Sequence, residues 1–147
     1  MNDETNQGIH QPQQTDGYAA FNPSYFKSFI GAMTASNVIW IFIIIYQFIV
    51  GVPSLLIGYG FTMLFCAVWN LIGCIKFSKF LKIVKKYPTV ENAQATYFFY
   101  QNSLTSSWIF FFVNLFLGGF FGAVACGFDL ILIYNAKAHK SDFGIME

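Results

Sequence analysis

Between two long, almost uncharged hydrophobic blocks lies a single basic run, Lys76-Phe77-Ser78-Lys79-Phe80-Leu81-Lys82-Ile83-Val84-Lys85-Lys86. It holds five of the eight Lys and Arg residues in the chain. Positively charged loops resist translocation, so such a run between apolar blocks fixes the cytoplasmic side of a membrane and orders both blocks around it. The composition agrees: 56% of residues are hydrophobic, 20% are aromatic and only 10% are charged. Soluble domains carry about 25% charged residues, so the chain reads as an all-α integral membrane protein.

The block before the basic run divides readily. The polar stretch 1–22 reads as a disordered tail without the basic start and apolar core of a signal peptide, so the first helix is expected to direct insertion itself. Asn22-Pro23 supplies an N-cap with proline at the first helical position, and the first helix is expected over 23–50. Gly51-Val52-Pro53-Ser54 then forms an uncharged turn on the far side, and a second helix returns over 54–75, about the 20 residues needed to cross the hydrocarbon core. Over 76–88, Phe77, Phe80, Leu81 and Val84 recur at helical spacing among the lysines. This predicts a basic amphipathic linker at the cytoplasmic surface, with Lys76, Lys79, Lys82, Lys85 and Lys86 available to anionic lipids.

Beyond the Tyr87-Pro88 stop, Thr89 can cap a new helix with Glu91 in its first turn. From Tyr97 to Tyr134 the chain then carries one acidic and no basic residue. As one helix these 38 residues would be about 57 Å long, far more than a bilayer hides at ordinary tilt. Two helices are predicted instead, 97–117 and 119–136, with the turn at Gly118-Gly119 and a short C-terminal tail at 138–147. The whole is a four-helix transmembrane bundle (domain 23–137) made of two helical hairpins. Both termini and all eight lysines then face the cytoplasm. The cell membrane is the favoured location.

Small and polar residues mark the faces that meet in lipid. The last helix offers a packing seam of Gly119, Gly122, Ala123, Cys126 and Gly127. The second carries Thr62, Cys66, Asn70, Gly73 and Cys74 in one stripe, the third Asn102, Ser103, Ser106, Ser107 and Asn114, and the first adds Thr34, Ser36 and Asn37. Asp129 stands out as the only ionisable residue within the four expected crossings. A charge at mid-membrane costs about 2.5–3.5 kcal/mol on insertion scales, so Asp129 should turn inward. Together with Asn37, Asn70, Ser103, Ser106 and Ser107 it defines an expected polar layer. It acts there either as a proton or cation site or as a hydrogen-bonded acid that keeps the helices in register.

Chemistry is otherwise sparse. The three cysteines lie in apolar runs without a CxxC, and neither His10 nor His139 has neighbours that would complete a metal or catalytic set. Paired carboxylates, an activated nucleophile and a phosphate loop are all missing from the sequence, so no cofactor and no enzymatic activity are expected. A net charge of +1 argues against nucleic acid as a partner. What remains is a non-enzymatic multi-pass protein working through lipid or protein contacts, as an accessory subunit, membrane organiser or self-protection factor, alone or as a homo-oligomer. The alternatives are a small proton- or ion-coupled transporter or oligomeric pore using Asp129, and a curvature-sensing hairpin protein.

Overall fold

The computed structural model describes residues 21–146; the polar tail expected over 1–22 lies almost wholly outside them. Among the described residues the chain is all-helical, with four long helices: α1 (Pro23–Gly51), α2 (Tyr59–Lys86), α3 (Val90–Val113) and α4 (Phe120–Ala138). Local chemistry sets their ends. The Asn22 side chain accepts a hydrogen bond from the Tyr25 amide at 3.1 Å, with Pro23 at the first helical position. Thr89 caps α3 in the same way through the Asn92 amide at 3.4 Å. Between α3 and α4 the chain widens into a π turn, Asn114–Gly118, and reverses at Gly119, whose φ of +88° favours a residue without a side chain.

Three of the four helices, α1, α2 and α4, are long and apolar enough to cross a membrane. The outer surface supports that reading, since Phe42, Phe61, Phe65, Phe116 and Phe120 are each more than 60% exposed. A water-soluble protein would not present so much aromatic surface. In α3 the run Gln101-Asn102-Ser103 and the Ser106-Ser107 pair lower the hydropathy, so this helix falls short by composition.

Four elements depart from the sequence expectation. The helix expected over 54–75 begins at Tyr59 and runs unbroken to Lys86, because Pro53–Ile57 forms a 3-10 turn whose Leu55, Leu56 and Ile57 are apolar without belonging to a long helix. The segment 76–88 is therefore no separate linker. Its apolar stripe turns into the bundle, where Leu81 is 4% exposed and Val84 is fully buried, while all five lysines stay outside. The helix expected over 97–117 starts earlier, at the Thr89 cap, and the tail expected over 138–147 folds back as a 3-10 turn, Lys140–Phe143.

That fold-back completes the core. Phe143 is fully buried against Tyr25, Phe26, Phe29 and Tyr97, with ring centroids 5.1–6.0 Å away. Together with Ile30, Met33, Leu81, Val84, Ala93 and Ile133 these residues form an apolar cluster at the end of the bundle that carries the lysines. The α1–α2 and α3–α4 contacts are the most extensive, α1 also packs on α4, and α2 and α3 barely touch.

Candidate functional site

The thin α2–α3 seam has a particular form. Toward the Pro53–Ile57 end of the bundle Trp69 meets Phe110, with centroids 6.2 Å apart, and toward the lysine end Phe77 and Phe80 stack on Phe99 at 5.9 and 5.0 Å. Between these aromatic contacts α2 offers Gly73, and a methyl group added there would meet nothing within 4 Å. A side window results. Behind it lies a cavity of about 410 Å³ whose floor is formed by α1 and α4.

All six residues of the expected polar layer line this cavity: Asn37, Asn70, Ser103, Ser106, Ser107 and Asp129. They do not bond to one another in one network. Asp129 accepts hydrogen bonds on both carboxylate oxygens, from the Ser36 hydroxyl and from the Trp40 indole N–H, the latter at 2.7 Å. Asn37 instead accepts from Ser78 at 3.0 Å and from the Cys74 thiol at 3.4 Å, tying α1 to α2. The Ser103 and Ser106 hydroxyls donate to carbonyls of their own helix, Phe99 and Ser103. Such back-bonding satisfies a hydroxyl's donor within its own helix.

Asn70 belongs to a buried carboxamide cluster that reaches across three elements. Its amide donates to Gln47 Oε1 and to Asn114 Oδ1, both at 3.0 Å; Gln47 Nε2 donates to Asn114 Oδ1 at 3.1 Å and to the Gly118 carbonyl at 2.9 Å. Asn114 donates in turn to Phe110 O at 3.0 Å. Gln47 is fully buried and Asn114 is 1% exposed, so these two carboxamides are closed off from solvent. The cluster ties α1, α2 and the π turn together, and Asn70, 8% exposed on the cavity, keeps its Oδ1 outside the cluster's hydrogen bonds.

The proposed seam of α4 divides into two kinds of position. Gly122, Ala123 and Cys126 are buried, and a methyl at Gly122 would stand 2.5 Å from Asn114 Oδ1, so close approach is required there. Gly119 serves the turn, and Gly127 has open space around it. The basic residues Lys76, Lys79, Lys82, Lys85 and Lys86 are all exposed, and Lys76 alone among them reaches the rim of the cavity.

Compared with protein-family models, curated protein sequences and solved structures, the chain finds no match. Its geometry is therefore the sole guide to its chemistry. No group of three or more His, Cys, Asp or Glu side chains capable of holding a metal ion occurs among the described residues.

Sequence reasoning missed Gln47, Ser36 as an Asp129 partner, and Trp40. Gln47 carries a visible signal, as a lone carboxamide within an apolar run, a position that lipid would penalise unless it were bonded inside. Trp40 carries none, because indoles are common on lipid-facing surfaces and its N–H direction emerges only from packing.

Proposed function

We propose that the chain crosses the membrane four times, with α3 as the fourth span, as two helical hairpins whose termini and lysines face the cytoplasm. We further infer that it works without catalysis, by holding a lipid or a membrane-embedded partner through the window between α2 and α3. The observation that carries this reading is the 410 Å³ cavity opening beside Gly73 on the apolar flank of the bundle. A helix as polar as α3 can cross lipid when its hydroxyls and carboxamides face an internal space. The exposed lysines beside the window suit an anionic leaflet. A curvature sensor would need a free apolar stripe in the basic segment, yet Leu81 and Val84 of that stripe are buried in the bundle core.

The test is purification from native membranes with identification of retained molecules by mass spectrometry. Wild type should retain a defined lipid class or protein. Gly73→Phe, whose Cβ would meet nothing within 4 Å and whose ring would fill the window, should lose it, and Gly31→Phe, also made where a Cβ meets open space, should not. Recovery of the bare chain in all three cases overturns the reading. Orientation is checked separately: a thiol placed at Leu56, 95% exposed, or at Phe116, 70% exposed, should react with an impermeant reagent from outside, and a reporter after Glu147 should respond only inside.

A second reading is favoured by the placement of Asp129 on the same cavity. If the protein moves a proton or a cation, Asp129→Asn should abolish flux in proteoliposomes, and unchanged flux removes Asp129 from the path.

A further inference from the structure

We propose that the cavity binds the ammonium headgroup of a membrane amphiphile, with Asp129 as its counter-charge; this rests on the cavity reading above and names the ligand. Three independent features of the site converge on that chemistry.

The first is an acid without an ion-pair partner, Lys76 at the cavity rim being beyond salt-bridge distance. The Trp40 N–H can only donate, so Asp129 Oδ2 accepts from it, and the Ser36 hydroxyl bonded to Oδ1 can donate to a carboxylate or accept from a protonated acid. Among the described residues, no basic side chain lies within ion-pair distance of it, the sole such contact being His139 with Asp142. Two hydrogen bonds lessen the cost of a carboxylate in an apolar bundle, but they do not supply a positive charge.

The second is the shape and lining of the space beside it. A metal ion would need several oxygen or nitrogen ligands at once, and Asp129 is the only carboxylate on the cavity. A proton would need no cavity. Besides the serines and asparagines of the polar layer, the walls carry the aromatic rings of Trp40, Trp69, Phe77, Phe99, Tyr100 and Phe110. Rings of this kind attract organic ammonium groups through their faces, most strongly where water is scarce.

The third is an orphaned group. Tyr100 lines the cavity and is 3% exposed, and its hydroxyl has no hydrogen-bond partner among the described residues. Buried hydroxyls are normally satisfied, and a primary ammonium head that displaces the side chains around Tyr100 would donate an N–H to its oxygen. The window at Gly73 fixes the source as the bilayer, because it opens sideways between helices and lets an acyl or alkyl chain remain in lipid.

The experiment uses the full-length protein in lipid nanodiscs and three photoreactive probes with the same alkyl chain. Their headgroups are primary ammonium, hydroxyl and sulfonate, and labelled residues are mapped by mass spectrometry. The ammonium probe should label the Trp69–Phe77 and Phe99–Phe110 stretches at least tenfold more than the other two. Asp129→Asn should remove that preference while leaving hydroxyl-probe labelling unchanged. Equal labelling of the cavity by all three heads in wild type overturns the ammonium assignment and leaves the cavity reading standing. Labelling confined to outward-facing positions such as Phe42 and Phe65, whatever the head, overturns both.

Discussion

Gly122→Ala is the most informative single change in the bundle. The new methyl would lie 2.5 Å from Asn114 Oδ1 and 3.0 Å from Asn114 Cβ and Cγ. Asn114 cannot swing aside freely, because its Oδ1 accepts from Gln47 and Asn70 and its Nδ2 donates to Phe110 O. Overpacking of a close-fitted interior costs about 1–3 kcal/mol. Breaking the two accepted bonds adds about 0.6 kcal/mol each inside a membrane bundle. Better helix propensity returns at most about 1 kcal/mol. The expected net loss is therefore about 1–3 kcal/mol. Gly127→Ala in the same helix meets nothing within 4 Å, so it should be neutral or stabilising by up to about 1 kcal/mol. The decisive comparison adds Asn114→Ala, which removes the obstructing side chain; on that background Gly122→Ala should cost nothing further. Unfolding of the detergent-solubilised protein, followed by tryptophan fluorescence, measures all four variants. If Gly122→Ala is no worse than Gly127→Ala, or if its penalty survives the removal of Asn114, the carboxamide cluster is not what makes this helix junction tight.

Two further changes test the fold. Phe143→Ala empties a fully buried site ringed by four aromatic side chains and should cost about 3–5 kcal/mol, seen as rapid proteolysis after Ala138; a protease-resistant variant would contradict the fold-back. Lys79→Pro interrupts α2 inside what would otherwise be a permissive surface loop, and it should destabilise the protein by about 3 kcal/mol; no change in melting temperature would mean that the basic segment is not helical.

The parts of this structure that could be read in the sequence are those set by local chemistry. Asn22-Pro23 and Thr89 begin helices because short polar side chains satisfy free amides. Gly118-Gly119 marks the reversal before α4 because a φ of +88° excludes most other residues. The six residues expected as a polar layer all line one cavity, because apolar surroundings favour turning polar groups inward. What the sequence concealed depends on long-range contact. Leu55, Leu56 and Ile57 are as apolar as a helix interior, so hydropathy alone cannot separate an exposed turn from a spanning segment. Leu81 and Val84 have the same spacing whether they face lipid or a neighbouring helix, and only the position of α3 and α4 decides. Phe143 gave no sign of burial because its partners, Tyr25 to Tyr97, lie far away along the chain.

The clasp between the opening and closing segments also bears on biogenesis. Asn22 bonds Asp142 through both its backbone amide and its side chain, across 120 positions. At about 5–20 residues per second of synthesis, the N-terminal end of α1 waits roughly 6–24 s for the partner that seals it. Throughout that interval Phe26 and Phe29 lack the ring that later covers them, so the nascent chain depends on lipid, an insertase or a chaperone to shield them until its final turn arrives.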